Sequence, residues 1–411
     1  MVARLSATDA QTFWMSAAVP NDQFVLYVFD GVVDSVASVL ERVRRRASVC
    51  HDLRLRICDD NPLRYPAWVS RAVSDAQLVV HDGRDWAACL DAVVALADQP
   101  LDPTDAAWQL HVFAPVTAVP AASGPVTVAA LQISHALADG SRTAALAGWL
   151  FGRGDPVPPI VLPPRGSLLL NGVHAARSHR QMVRDMDSGV LSPPSPSRPP
   201  VLTNAVPTGE RRIRTVLRDR GALAGGTVTV AVLAAVGTAL AGYLRARGED
   251  AAGLAAEVPM AFTGVRQAHN HFRNIGVGLY PDLPERMALI AAELAAGRLR
   301  GAHPAAGASR RSFEAVPAPV LRWGVSKFDP VARSQTVTGH TVVSSVNRGA
   351  ADLHFGTAPV LFTAGYPALS PMMSLVHGVH GIGDTVAISV HAADSAGDID
   401  EYIERLEHAL G

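Results

Sequence analysis

Between positions 23 and 31 the chain reads QFVLYVFDG, with the Val, Phe and Tyr content of a strand. Just before it, Ser6-x-x-Asp9 forms a capping-box-like start to a short helix carrying Phe13 and Trp14. Residues 33–48 place Val36, Val39, Leu40 and Val43 at helical spacing, with arginines on the other side. Strand-like runs follow at 108–116 and 126–134, and 141–152 then predicts a helix. The later part repeats the alternation. A helix over 227–246 leads to strand-like 254–262, then IGVGLYPDL, then a strong helix at 284–299. VVSSVN, VLFTAGY and TVAISVHAAD predict strands, whereas Gly378-Val-His-Gly-Ile-Gly383 predicts a turn between late strands. A last helix from Asp398 sets Ile399, Tyr402, Ile403, Leu406 and Leu410 on one face. The fold class this implies is mixed α/β with two similar halves.

Proline-rich stretches at 155–165 and 189–207 cannot lie inside helices or sheets. The second divides the chain nearly in half. The expected organisation is therefore an N-terminal subdomain 1–188, a linker 189–210 and a C-terminal subdomain 211–411. Residues 221–244 form an uncharged stretch of 24, long enough to cross a membrane. It is rich in Ala, Gly and Thr, and Gly225-Gly226-Thr227 reads as a loop and N-cap. The stretch is expected to be a core helix.

Composition narrows the function classes. A length of 411 residues exceeds what one core usually supports, and 48% hydrophobic residues exclude a largely disordered chain. A net charge of −1 argues against a protein that grips nucleic acid electrostatically. Lys327 is the sole lysine, so individual arginines carry less information than usual. Cys50, Cys58 and Cys89 fit no zinc ribbon or CxxC motif, which points to a reducing, cytoplasmic compartment. MVARLSATDAQ lacks an apolar stretch, so no signal peptide is expected.

The most informative string is LQISHALADGSRT, containing His135-Ala-Leu-Ala-Asp139-Gly140. A strand delivers a histidine at its C-terminal end, and a tight Asp-Gly turn starts a helix that Asp139 or Ser141 can cap. With an unperturbed pKa of ~6.5, a histidine there suits general-base work on a hydroxyl. Asp139 can lock the turn through backbone amides or an arginine and so fix the imidazole. Gly140 supplies backbone freedom where a side chain would crowd the turn. The bland alternative is a strand-end histidine beside an unrelated Asp-Gly turn. His269-x-His271, His377-x-x-His380 and His391 could suggest a metal, but the 15 histidines of this chain produce such spacings readily, and no metal site is expected.

In this context HxxxDG resembles the chloramphenicol-acetyltransferase-like superfamily of CoA-dependent acyltransferases. Within it, the chain looks most like the wax ester synthase/diacylglycerol acyltransferase family of the actinobacterial kind. Further stretches carry the likeness: LSATDAQTFW (5–14), QPLDPTDAAWQLHVF (99–113) with Trp108, Thr227-Val228 with the apolar helix ending at Tyr243-Leu244, and EVPMAFTGVR followed by NIGVGLYPDLP. The resemblance implies two α/β domains, each a mixed sheet packed with helices, and a tunnel at their interface. It implies an O-acyltransferase in which His135 deprotonates an alcohol that attacks acyl-CoA, without a covalent enzyme intermediate. Acyl-CoA is then a co-substrate, no cofactor is covalently bound, and wax ester or triacylglycerol metabolism is the setting.

The same resemblance makes Asp139 structural, with Arg266 as its ion-pair partner across the domains. The expected partners are acyl-CoA and a lipid or sugar-lipid alcohol, with no nucleic acid and a transient contact with a membrane or lipid-droplet surface. The chain departs from the family where Ser134 replaces the first His of HHxxxDG and where Thr229-Val230 replace Asn-Asp. Ser134, Asn270, Asn274, Ser344 and Ser345 are the candidate oxyanion or tunnel polar groups. Two alternatives stay open: a polyketide-associated acyltransferase using a carrier protein, and a non-catalytic lipid-binding or scaffold protein of the same fold.

Overall fold

Alternation along Gln23–Phe29 sets the first layer of the architecture. Val25, Tyr27 and Phe29 face the helices Val36–Val49 and Gly140–Leu150, while Phe24, Leu26 and Val28 face the helix Trp86–Leu96. Because both faces are covered, nearly every position in the strand is apolar. Each such buried side chain contributes about 1.5–3 kcal/mol. The computed structural model describes residues 3–223 and 225–411; Met1, Val2 and Ala224, the last inside the uncharged stretch, lie outside it.

The first sheet runs in the order His354–Phe355, Ala358–Tyr366, Gln23–Phe29, Val126–Ile133, Trp108–Thr117, Leu78–His81. The short strand Arg84–Asp85 also pairs with Trp108–Thr117. A second sheet runs Phe272–Gly278, Ala255–Ala261, Thr341–Asn347, Leu375–Ile382, Thr385–Ala393, Arg211–Asp219. The helix Val228–Arg245 packs on this second sheet with Arg286–Ala302 and Ile399–Leu410. It is long and apolar enough to cross a membrane, yet it lies in the core. Packing on all sides explains its uniform apolarity, and Thr227 caps it by accepting a hydrogen bond from Val230 N.

Strand pairing and helix packing cross the boundary expected at 189–210. That segment carries the short turn Leu202–Asn204 and a single bridge from Arg198 to Val337. However, Ala358–Tyr366, from the expected C-terminal subdomain, pairs antiparallel with Gln23–Phe29 in the first sheet. Helices Pro304–Glu314 and Ala318–Ser326 also pack on Ala7–Ser16 at the other end of the chain. The strand VLFTAGY is apolar on both faces and fits either sheet; pairing with a partner more than three hundred residues away is a choice that local pattern does not encode.

A second correction concerns 378–383. Most of that segment belongs to Leu375–Ile382, a strand buried along its whole length between Thr341–Asn347 and Thr385–Ala393. Its glycines serve close approach. A Cβ on Gly378 would run into the carbonyl oxygen of Gly365 in the neighbouring sheet. Only Gly383, at φ +54°, makes the turn.

Candidate active site

His135 stands two residues beyond the strand Val126–Ile133, in a turn closed when Leu137 N donates to Ser134 O at 2.9 Å. The strand end is fixed because Ser134 N donates to Ala107 O at 2.9 Å. Asp139 then caps the helix Gly140–Leu150, accepting from Arg142 N at 2.9 Å. A buried strand, a tight turn and a capped helix thus hold the imidazole from both sides.

Asn270 decides which ring nitrogen is free. Its Nδ2 donates to His135 O at 2.6 Å and to Asp9 Oδ1 at 3.1 Å, so its Oδ1 is the atom facing His135 Nδ1, at 2.6 Å. An amide oxygen only accepts, so Nδ1 carries the hydrogen and Nε2 keeps its lone pair. The Phe272 ring lies 5.7 Å from the imidazole, centroid to centroid. Asn270, expected as a tunnel polar group, is therefore spent on orienting His135.

The Asn270 loop is bolted by two carboxylates from the first half. Asp9, fully buried, accepts from His269 N and Asn270 N, both at 2.9 Å, and from Ser6 Oγ at 2.7 Å. Burial pushes its carboxyl up to about 6 against those donors. Asp139 accepts from His271 N at 2.9 Å and pairs with Arg266 through two hydrogen bonds, at 2.7 and 3.1 Å. Burial acts to raise the Asp139 carboxyl, but Arg266 and the amides of His271 and Arg142 outweigh it and hold the group below its ordinary range. Arg266 also donates to His269 O at 2.9 Å and to Ser141 Oγ at 2.6 Å. The sequence marks Asp9 only within a helix start and the LSATDAQTFW stretch, and its role is not legible there because its partners are 260 residues away.

Gly140 has an ordinary backbone, so conformational freedom is not its use. A Cβ there would sit 2.9 Å from Val346 Cγ2, on a strand of the second sheet. The missing side chain lets the two halves close beside His135.

Two cavities meet at this point. One, of about 390 Å³, is lined by His135, Gly140, Phe272, Asn274, Ser344 and Arg348 among others. The other, of about 250 Å³, shares Gln23, His135, Gly140, Phe272, Ser344 and Val346 with it and extends to Asp139, Ser141, Ser345 and Asn347. His135 thus borders both. Ser345 accepts from Thr229 Oγ1 at 2.9 Å, and Asn274 Nδ2 reaches Glu257 Oε2 at 3.4 Å. Ser134 lies apart from these residues, on a third cavity of about 740 Å³ with Phe13, Trp14 and Arg322.

Among the remaining histidines, His81 Nε2 and His111 Nδ1 lie 3.1 Å apart. His269 Nδ1 lies 2.7 Å from Leu137 O, and His377 lies between Thr341 Oγ1 at 2.9 Å and Tyr402 OH at 2.7 Å. Burial pushes both down to about 3, so they are neutral core groups. Among the described residues no group of three or more His, Cys, Asp or Glu side chains is placed to hold a metal ion.

No protein-family model matches the sequence, and no curated protein matches it either. Solved structures do match. The wax ester synthase/diacylglycerol acyltransferase from Marinobacter aquaeolei VT8 is similar over 99% of this chain and 98% of its own, with a TM-score of 0.63 at 18% identity. A mutant starter condensation domain of rhizomide synthetase RzmA in complex with C8-CoA covers 100% of this chain and 93% of its own, with a TM-score of 0.59 at 16% identity. A related mutant form holding C8-CoA and Leu-SNAC gives 0.58 at 15% identity. At these identities the likeness establishes the fold: two chloramphenicol-acetyltransferase-like α/β domains, each a mixed sheet packed with helices.

Proposed function

We propose that this chain is an acyl-CoA-dependent O-acyltransferase that moves a long-chain acyl group to a lipid or sugar-lipid alcohol, with His135 as general base. The observation that carries the reading is the Asn270 contact, which leaves Nε2 as a proton acceptor on a residue bordering two cavities. C8-CoA bound to a protein of the same fold supports the donor class. The alcohol gives its proton to Nε2 as its oxygen bonds to the thioester carbonyl carbon. The C–S bond then breaks, and the proton passes from the imidazolium to the CoA thiolate. Ester and free CoA leave, and His135 is neutral again. No covalent bond to the protein is required.

Asp139 and Arg266 act as positioning residues, holding the loop that carries Asn270. The exposed Leu168, Leu169 and Leu170 on the helix Leu168–Asp187 support a transient contact of this cytoplasmic protein with a lipid surface. Following free thiol from palmitoyl-CoA tests the reading. CoA release is expected only when an alcohol is added, and only while His135 is intact. A second reading, a donor held on a carrier protein, is favoured by the condensation-domain likeness. Turnover with a loaded carrier and none with free acyl-CoA would select it. Binding of acyl chains without turnover across a broad alcohol panel would select a scaffold instead.

A further inference from the structure

The wall of the 390 Å³ cavity carries a positive charge that the fold leaves unanswered. Arg348 follows the strand Thr341–Asn347 and is 2% exposed. Its backbone is pinned: its N donates to Gly381 O at 2.7 Å, and its O accepts from Arg153 Nη1 at 2.7 Å. Its side chain is not. Nη1 reaches Gly140 O only at 3.5 Å, and Nε has no partner. Tyr27 OH lies beside it without a well-formed hydrogen bond, and no carboxylate is among the groups that act on it.

The other two arginines buried among the described residues are matched: Arg142 pairs with the Asp52 carboxylate, although its Nε is also unpartnered, and Arg300 donates to two carbonyls. A buried guanidinium without an anion is costly, because its lost hydration is not replaced. His380, 5% exposed, lines the same cavity, and its Nδ1 is also unpartnered.

We propose that Arg348, with His380 beside it, binds a carboxylate carried by one of the two substrates. The inference rests on the acyl-transfer reading and names its substrate class. One guanidinium beside a neutral imidazole offers a single positive charge and a planar fork, which matches a carboxylate better than a phosphate dianion. Burial and the nearby Arg348 keep His380 neutral, so it adds a hydrogen-bonding edge rather than a second charge. The rest of the wall includes Val25, Val342, Val346 and Leu369, which suit an apolar stem. Arg348 reaches Gly140 O, and Gly140 and His135 line the same cavity, so the carboxylate and the reacting centre share one enclosure. A hydroxy-acid acceptor fits this, as does an acyl donor ending in a carboxylate.

The two sources separate in two arms of one experiment. In the first, octanoyl-CoA is offered 3-hydroxydecanoate or its methyl ester. In the second, decanol is offered glutaryl-CoA or its methyl ester. In one arm or both, kcat/KM for the acid is expected to exceed that for the ester by on the order of 10- to 100-fold. Arg348→Gln is expected to bring the ratio near unity, and Arg348→Lys to keep part of it. Equal use of acid and ester by the wild type in both arms, or a preference that survives Arg348→Gln, overturns the proposal while the transferase reading stands. If the wild type releases no CoA from any of these pairs, nor from palmitoyl-CoA with an alcohol, the reading with free acyl-CoA as donor fails on its own. Thermal unfolding with 3-hydroxydecanoate or its ester then decides the subsite. Stabilisation by the acid alone, lost in Arg348→Gln, upholds it, and no acid-specific shift ends it.

Discussion

Replacing Gly140 by alanine isolates the contact that closes the two halves beside His135. The new Cβ would lie 2.9 Å from Val346 Cγ2, against the ~3.5–4.0 Å at which carbon atoms pack best. Val346 is β-branched and stiff at χ1, and its strand is held by pairing with Leu375–Ile382, so it yields poorly. Forcing a methyl group into such a contact costs about 1–3 kcal/mol. Alanine returns at most ~1 kcal/mol of helix propensity, and less at the first helical position. The packing term wins, leaving a net loss of about 1–2 kcal/mol. Val346→Ala removes the colliding methyl. Since Val346 is only half buried, that change alone costs under ~1 kcal/mol. Urea midpoints of the four proteins form the cycle, with a favourable coupling of at least ~1 kcal/mol expected. The same crowding narrows both cavities at His135, so kcat/KM in Gly140→Ala should fall and recover in the double variant. A Gly140→Ala midpoint at or above wild type, or strictly additive losses, would refute the reasoning.

Asn270→Ala releases the His135 tautomer; kcat should fall by on the order of a hundredfold with little change in KM for acyl-CoA, and an unchanged kcat would show that Asn270 does not orient the base. Asp139→Ala strands the half-buried Arg266 guanidinium and the amides of His271 and Arg142 and should cost about 3–5 kcal/mol, while Asp139→Ala with Arg266→Ala should cost less than the sum of the singles; additivity in denaturant unfolding would contradict the pairing. For Asp139, whose carboxyl is held low, stability is present above the unfolded carboxylate range and lost as pH falls through its lowered folded value. Asp9 runs the other way: its folded value is raised to about 6, so its contribution falls as pH rises from about 4 to about 6, by on the order of 3 kcal/mol. The stability difference between wild type and Asp9→Asn should trace that decline, and a difference independent of pH over that window would contradict it.

How much of this was legible depends on how local the determining physics is. The strand, turn and helix around His135 read correctly because a buried apolar run, an Asp-Gly step and a capped helix are neighbours in sequence. The Ala, Gly and Thr content and the Gly225-Gly226-Thr227 start likewise marked Val228–Arg245 as a core helix rather than a membrane span. Pairing across the chain was not legible. Nothing in VLFTAGY says that it joins the sheet of Gln23–Phe29, and nothing in Ser6-x-x-Asp9 says that the aspartate grips the amides of 269 and 270. The glycines of 378–383 misled for a related reason. Sequence suggests a turn, whereas the space they leave belongs to another strand and to the His380 ring. Asn270 was noticed for its polarity, but its role follows only from three hydrogen bonds made by one amide.

The most direct test of the central claim quantifies ester product by mass spectrometry alongside free CoA, for wild type and His135→Ala, with palmitoyl-CoA and an alcohol. One ester is expected per CoA in the wild type, and loss of both products by at least about a hundredfold in the variant, without loss of acyl-CoA binding. Ester formation at wild-type rate in His135→Ala would contradict the account.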